Sequence, residues 1–572
     1  MADNENTELS AVEDPKKLSF WGQIRSLPTN FWYANFMEIL ERLAFFGVRA
    51  IAPLYLVKTA NENGLGLTYT DKGNIYFWWA LIQCLVPMVS GGYTERYGYR
   101  KSLAVAFILN ILGYLGMAQS KPIADHLAAQ GWEDPAYWVF LIAACFVAFG
   151  TAIFKPPVHG TVAKTTTEET SSMGWGLFYW VVNIGGAFAP VLAAPLRGEI
   201  NWHYVFYAAA IVTACNFLPA FLLYREPEKS PPKEGETEKG PLGVFFSSIA
   251  TVFKDPRLVV FLLIFACFWL MFMQLWDLLP NFIDEWVDTS DIAPGFAWLG
   301  GLFHLSWVAQ SGQVKPEMMI AVNPWTIIFL VILVSWLIRK LHKVGAMVIG
   351  MLISMVGFVS AGLTHVGILC ALMIFIFTIG EMTCSPTFSA YVGLIAPKDK
   401  KALYMGYSNI PFAIGWAAGN KLGGWLYDQM ASKFELAREY LVNELGMNVD
   451  FVMDAEKLPN PQVMETMARC LDGGDVQAIQ PGVLALWDRV DWAAIPKKEI
   501  ADKVQEIYAE VLGQVDAGAV QQATQTLWDI HHPYMVWVYL GAVGLVGTVG
   551  MFIFYFATRH VRVTSDEELQ TA

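Results

Sequence analysis

Residues 31–56, FWYANFMEILERLAFFGVRAIAPLYL, are long and apolar enough to cross a bilayer as a helix, yet they include four ionisable side chains. Helical spacing places Glu38, Glu41, Arg42 and Arg49 near one face of that helix. Because charged groups are costly in hydrocarbon, this face is expected to point into the protein interior or a watery cavity. Such groups are typical of transport or proton-relay sites, and the alternative is an ion-pair cluster that only holds helices together.

The composition indicates a polytopic, all-α membrane protein, since 55% of the 572 residues are hydrophobic and they fall in repeated long segments. The formal net charge of −13 does not favour a nucleic-acid partner. Residues 1–17 are polar and acidic and lack the pattern of a signal peptide. The sequence shows no Cys/His metal spacing and no nucleophile–base set, so we expect no metal, no cofactor and no enzymatic activity.

Apolar segments of spanning length predict about twelve transmembrane helices, arranged as two six-helix halves with a helical extracytoplasmic insert before the last helix. Residues 225–241 are charged and Pro-rich, which is typical of a disordered linker, and residues 242–254 are typical of a helix at the membrane surface. The predicted domains are a tail at 1–30, the first half at 31–224, the linker at 225–257, helices seven to eleven at 258–427, the insert at 428–533, helix twelve at 534–558 and a tail at 559–572.

Lys and Arg concentrate in one series of short loops, and cytoplasmic loops have an excess of these residues. Both termini and the linker are therefore predicted to be cytoplasmic, with the insert on the other side of what we expect to be a bacterial inner membrane. The basic residues of that series are Arg96, Arg100, Lys101, Lys155, Lys164, Arg339, Lys340, Lys343, Lys398, Lys400 and Lys401.

The loop predicted between the second and third spans resembles the loop signature of the major facilitator superfamily, G-x-x-x-D/E-R-x-G-x-R/K-R/K. The matching residues are Gly91, Glu95, Arg96, Gly98 and Arg100. Glycine permits a tight turn at the membrane face, and the charged residues can join the ends of neighbouring helices by ion pairs. The resemblance implies two halves with a substrate site between them near the bilayer midplane.

Further motifs resemble those of the proton-dependent oligopeptide transporters, a family of the same superfamily. The first span, with Glu38-Ile-Leu-Glu41-Arg42-Leu-Ala-Phe45-Phe46-Gly47, is similar to the family motif E-x-x-E-R-F-x-Y-Y-G. The other matches, in family order, are Gly150 with Lys155 and Pro156; Phe178 and Tyr179 with Asn183 and Gly185; Phe268 and Trp269 with Phe272 and Gln274; Asn323 with Pro324; and Gly380 and Glu381 with Pro386.

The chain departs from the family pattern at three places. The paired tyrosines of the family are Phe45 and Phe46 here, the acidic residue before Gln274 is Met273, and the linker is too short for the two extra helices of many bacterial members. These departures bear on peptide selectivity more than on proton coupling.

The charges predicted to face the cavity suit a zwitterion such as a short peptide. Arg49 and Lys155 on the first half would bind its carboxylate, and Glu381 on the second half would bind its ammonium group. Helix packing is the alternative for the neutral candidates, and Asp277 is expected to be a solvated structural residue near the outer end of its span. The neutral substrate-binding candidates are Asn183, Gln274, Asn323, Phe45, Phe46, Tyr179 and Trp269.

Proton coupling is assigned to Glu38, Glu41, Arg42 and Lys155. Partly desolvated carboxylates beside cations can alternate between ion-paired and protonated states, which can bias a conformational equilibrium. The sequence therefore predicts a proton-driven symporter for di- or tripeptides or peptide-like zwitterions. Alternatives are a transporter of another small solute and a membrane receptor that uses the insert as its binding module.

The insert at 428–533 lies outside the family resemblance. It is acidic, and its apolar residues recur at helical spacing, which predicts several short helices that cap the outer face. Gating, substrate capture and contact with an extracytoplasmic protein partner are possible roles, and a purely structural insertion is the alternative.

Overall fold

The structure is a computed structural model that describes residues 19–59, 62–199, 201–227, 243, 255–396, 404, 406–495 and 499–558. Over these ranges the chain is helical, with isolated β-bridges between Asp288 and Val366 and between Val308 and Val314. The predictions for residues 1–18, for most of the linker, for the surface helix at 242–254, for the basic loop at 397–403 and for the tail at 559–572 lie outside the described residues.

The first half consists of helices that run alternately towards its two ends. They are α1 (Phe20–Ser26), α2 (Thr29–Val57), α3 (Tyr69–Tyr97), α4 (Tyr99–Ala118), α5 (Ser120–Ala129), α6 (Pro135–Thr165), α7 (Glu168–Glu199) and α8 (Trp202–Cys215), followed by a π-helical turn at Pro219–Leu223.

The second half begins with a helix that is interrupted twice before it ends. Its helices are α9 (Pro256–Phe272), α10 (Gln274–Asp277), α11 (Leu279–Trp286), α12 (Ala293–Leu302), α13 (Pro316–Ile320), α14 (Val322–Ile338), α15 (Lys343–Gly362), α16 (Gly367–Ile395) and α17 (Asn409–Met430).

The insert is helical, as its periodicity predicted, and the final long helix follows it. These elements are α18 (Lys433–Asn443), α19 (Val449–Val452), α20 (Asn460–Leu471), α21 (Val476–Trp487), a 3₁₀ turn at Trp492–Ala494, α22 (Ile500–Leu512), α23 (Ala517–His531) and α24 (Met535–Thr558).

Within the described ranges, ten helices are long and apolar enough to cross a membrane. Two further predicted spans correspond to α2 and α17, which have 29 and 22 residues but are more polar. The prediction of twelve spans is thus confirmed for ten helices by length and composition, and it stays a prediction for the other two.

The polar ends of the helices extend past the apolar runs that predicted them. Gly91, Glu95 and Arg96 lie in the last turns of α3, and Arg100 lies in the first turn of α4. Gly98 separates the two helices with φ +109°, a backbone conformation that favours glycine. The predicted loop is therefore reduced to the turn at Gly98, because hydropathy marks the apolar core of a span and not where its backbone hydrogen bonding ends.

The insert packs against the second half through aromatic side chains. Trp528 of α23 lies 6.0 Å from Phe282 and 5.9 Å from Trp286, measured between ring centroids. The indole of Trp286 donates to the Ala431 carbonyl at 2.8 Å, and the Lys433 ammonium donates to the Glu285 carbonyl at 2.8 Å. We call the end of the bundle that holds these contacts the insert end.

Small residues bring α15 and α16 into close contact. A Cβ atom on Gly357 would lie 2.8 Å from the Met373 carbonyl oxygen, and one on Gly350 would lie 2.8 Å from the Cys384 backbone nitrogen. Backbone atoms cannot move aside as the end of a flexible side chain can, so the two helices can be this close only while both positions remain glycine.

Gly357→Val is expected to destabilise the protein by about 1–3 kcal/mol, because the added atoms overlap the backbone of α16. Thermal unfolding of the purified protein in detergent measures the effect as a lower melting temperature. Gly176→Ala is the matched control, since a Cβ there meets no atom within 4 Å. Unchanged melting of Gly357→Val would contradict the close packing of α15 and α16.

Candidate functional site

The charged cluster on α2 is buried. Arg42 is ion-paired with Glu41, and its Nε lies 3.1 Å from Glu38 Oε1. Lys155 of α6 is near enough to interact electrostatically with all three of these groups. The structure therefore brings together the four residues that the sequence assigned to proton coupling.

Arg49 is directed away from this cluster and across to the second half. It is hydrogen-bonded to Asp277, and both side chains are almost wholly buried. The Trp416 indole donates to the other oxygen of Asp277 at 2.6 Å, and the Arg49 guanidinium lies 4.7 Å from the centroid of the Tyr76 ring. A buried charge of one sign is thus matched by a buried charge of the other.

The expectation that Asp277 is a solvated residue near the outer end of its span is wrong, because Asp277 is only 1% exposed. The helical path is interrupted at Met273 and Leu278, so Asp277 ends the short helix α10 and does not continue a straight helix into solvent. An apolar run predicts the extent of a span but does not indicate where the helix breaks.

Lys72 and Asn281 belong to the same contact, and sequence reasoning missed both. The Lys72 ammonium donates to the Asp277 carbonyl at 2.9 Å and to Asn281 Oδ1 at 2.6 Å, and Lys72 is 1% exposed. The Asn281 amide in turn donates to the Pro53 carbonyl at 2.8 Å. The available signal was a lysine just before a long apolar run, and that signal also fits an ordinary loop residue.

Glu381 accepts a hydrogen bond from Asn323 at 2.6 Å, and Asn323 also donates to Thr378 at 3.0 Å. Tyr179 of α7 is near enough to interact electrostatically with Glu381, and its carbonyl accepts from the Asn183 amide at 2.9 Å. Tyr179 of the first half therefore lies near Glu381 of the second half, whereas the Asn183 amide is hydrogen-bonded within its own helix.

Some of the remaining substrate-binding candidates are packed in the protein interior, and others are more exposed. Phe45 is 5% exposed and lies 6.2 Å from Trp79 between ring centroids, whereas Phe46 and Trp269 are only partly buried. Gln274 is 1% exposed, and glycines of α17 pack against it. Phe45 and Gln274 thus occupy positions that fit helix packing, the alternative that sequence reasoning left open.

The two halves are joined at the insert end by further polar contacts. Lys58 lies 2.7 Å from Asp284, and Arg197 lies 2.6 Å from Glu317. The Asp428 carboxylate accepts from the Tyr69 backbone nitrogen at 2.9 Å. We call these contacts, together with those of Arg49, Lys72 and Asn281, the seam, and in this structure the seam is closed.

The signature residues lie at the other end and join helices within the first half. Lys164 lies 3.1 Å from Glu95, and the Arg100 Nε donates to the Tyr224 carbonyl at 3.1 Å. The Glu226 carboxylate accepts from the Tyr99 backbone nitrogen at 2.7 Å. These contacts tie the end of α3 to the end of α6 and the start of α4 to the segment after α8.

Asp277→Asn is expected to destabilise the protein by about 3–5 kcal/mol, since it leaves the Arg49 guanidinium buried without its counter-charge. Thermal or chemical unfolding measures the loss. The double variant Arg49→Met with Asp277→Leu removes both charges and is expected to recover most of the stability. A single variant as stable as the parent protein would show that the ion pair is not what stabilises this contact.

Comparison with known proteins gives matches at the level of family and fold. The model of the Major Facilitator Superfamily matches residues 35–420. The uncharacterized transporter YclF of Bacillus subtilis is 29% identical over 35% of this chain, and the peptide transporter YePEPT of Yersinia enterocolitica is 27% identical over 33%. The chain spans only 38% and 34% of those two relatives, whereas it spans 88% of the multidrug resistance protein MdtH of Yersinia enterocolitica, at 21% identity over 71% of this chain.

A solved structure of a POT family transporter in complex with 5-aminolevulinic acid is similar to this fold. Its TM-score is 0.58 at 18% identity, with 73% of this chain and 93% of that chain covered. The fold is thus that of POT family transporters, and the chain belongs to the Major Facilitator Superfamily.

Proposed function

We propose that this protein is a proton-coupled symporter of di- or tripeptides or peptide-like zwitterions that works by alternating access. The observation that supports this most is the buried cluster of Glu38, Glu41 and Arg42 beside Lys155, within a transporter fold. Four ionisable groups together at membrane depth are costly unless they bind or move charge. No metal or organic cofactor is part of the proposal, since protons supply the driving force.

The proposed arrangement in the membrane has twelve spans, with α2 and α17 as the two polar ones. Glu38, Glu41, Arg42 and Arg49 of α2 and Asn420 of α17 are buried, so neighbouring helices would shield these groups from lipid. With the termini in the cytoplasm of a bacterial cell, the insert end faces outward, and this structure is closed to the outside.

In this state Lys155 is better placed than Arg49 to bind a substrate carboxylate, because Arg49 is held by Asp277. Glu381, opposite on the second half, would bind the substrate ammonium group, with Asn323 orienting its carboxylate. Opening of the seam would separate Arg49 from Asp277 and release Arg49 to the cavity. Lys155 would thus bind the substrate carboxylate while the seam is closed, and Arg49 would be available to the cavity once the seam is open.

The proton is assigned to the pair Glu38 and Glu41, because carboxylates this close titrate together. Arg42 contacts both, and one cation can neutralise only one of the two negative charges. When Lys155 turns to a substrate carboxylate, a proton would offset the negative charge that remains. Substrate binding and proton binding are coupled by this shared charge balance.

A second candidate function is proton-coupled transport of another small solute. The phenylalanines at 45 and 46 replace the hydroxyl groups of the family's tyrosine pair, which removes two polar contacts for a peptide backbone. The similar POT family structure binds 5-aminolevulinic acid, and a relative spanning most of the chain bears a multidrug resistance name.

Proteoliposomes with an imposed pH gradient test the proposal directly. The parent protein is expected to accumulate labelled dipeptide, whereas Glu41→Gln is expected to lose uphill uptake but keep exchange of substrate down its own gradient, because exchange needs no net proton movement. Absence of dipeptide uptake by the parent, with uptake of another solute, would favour the second candidate. Uphill accumulation by Glu41→Gln would refute the proton assignment.

Glu381→Gln is expected to weaken binding of free dipeptides by at least tenfold, equivalent to about 1.4 kcal/mol, and to affect N-blocked analogues much less. The physical reason is that glutamine keeps the volume and the contact with Asn323 but removes the charge that attracts an ammonium group. Competition binding with the two peptide types measures the difference. Equal losses for both would assign Glu381 to structure or to the proton path.

A further inference from the structure

Glu285, on the short helix α11, lies where three parts of the protein meet at the insert end. One carboxylate oxygen is hydrogen-bonded to the hydroxyl of Tyr69 from the first half. The other oxygen accepts from the Tyr427 hydroxyl at 3.0 Å and from the Lys433 backbone nitrogen at 3.2 Å, which belong to α17 and to the insert. This carboxylate therefore contacts both sides of the seam.

Several other charged groups face Glu285 from the packed elements. Lys433 and Lys58 interact with it electrostatically, and so does Lys72 of α3. Its neighbour Asp284 is already paired with Lys58 at 2.7 Å. Glu285, Lys58, Asp284 and Asp428 border a cavity of about 250 Å³ between the loop after α2 and the insert.

The contacts of Glu285 are compatible with a neutral carboxylic acid. The Lys433 backbone nitrogen can only donate, so the oxygen that faces it and Tyr427 remains an acceptor. The other oxygen faces the Tyr69 hydroxyl, which can accept as well as donate. A protonated Glu285 can thus donate to Tyr69 and keep its remaining two hydrogen bonds.

Burial raises the pKa of Glu285 to about 7 although hydrogen bonds from Tyr69, Lys433 and Tyr427 favour the charged form. Separation of the two halves would return the carboxylate to water and towards its ordinary pKa of 4.5. The closed seam consequently binds this proton more tightly than an open one. The bound proton therefore stabilises the closed seam fully below pH 4.5, and this stabilisation is lost as the pH rises through 7.

We propose that Glu285 is a second proton-binding site, which takes up a proton from the outer face as the seam closes between the two halves. This deepens the proposed function, on which its direction relative to the membrane rests. The site is separate from the cluster on α2, and it makes closure of the insert end respond to the outside pH.

The test measures the conformation of the seam and requires no transport. Spin labels are attached at two exposed positions, Ala128→Cys of α5 and Glu439→Cys of α18, with Cys215→Ser to remove an exposed thiol. The protein is placed in nanodiscs without substrate, and double electron–electron resonance gives the ratio of open to closed seam between pH 4.5 and 7. Lys433, whose pKa burial lowers to about 8, titrates above this range.

One proton contributes about a tenfold change in the open-to-closed ratio per pH unit within this window, with opening favoured as the pH rises. Glu285→Gln is expected to reduce that slope by one proton. Asp284→Asn, the matched control, should lower the closed population at every pH and keep the slope, because its pairing with Lys58 and Arg197 outweighs burial and holds the pKa of Asp284 below its usual range.

Tyr427→Phe provides a second variant that keeps Glu285 itself. Loss of one donor to the carboxylate should move the upper end of the pH-dependent range to higher pH. Equal slopes for Glu285→Gln and the parent, or an unshifted range in Tyr427→Phe, would overturn the proposal. Dipeptide uptake that fails while these distance changes persist would count against the proposed substrate and not against the proton site.

Discussion

The arrangement of the two halves depends on the buried ion pair between Arg49 and Asp277. Each charge would be costly at this depth alone, and each is provided by a different half. Neighbouring groups also hydrogen-bond to Asp277. The Trp416 indole donates to its carboxylate, and the Lys72 ammonium donates to its backbone carbonyl. Separation of the halves therefore requires water to enter and solvate both charges.

Close glycine packing occurs within a half and also between the halves. Within the second half, Gly350 and Gly357 bring the backbones of α15 and α16 together. Between the halves, a Cβ atom on Gly73 of α3 would overlap the Asn420 carbonyl oxygen of α17, beside the ion pairs and hydrogen bonds of the seam. Water can replace the polar contacts of the seam, but separation of the halves at the insert end would have to part these two backbones as well.

The sequence was informative where local spacing determines the outcome. The ion pair of Glu38 with Arg42 follows from their four-residue spacing on a helix, and the short helices of the insert follow from their apolar pattern. The depth of Asp277 did not follow, because its partner Arg49 lies 228 positions away and a break in the helix sets its direction. Lys72 was missed for the same reason, since its acceptors come from the opposite half.

The position of the insert has a consequence for how the second half can move. It follows α17 and precedes α24, and Trp528 lies 5.3 Å from Tyr534 at the start of α24 while Trp286 of α11 donates to Ala431 just after α17. Contacts with the insert thus link the ends of α11, α17 and α24, so these three helix ends cannot separate from one another independently. Movement of one of these helix ends would be passed on to the insert, so the orientation of the insert would report on the protein surface which conformation the second half has adopted.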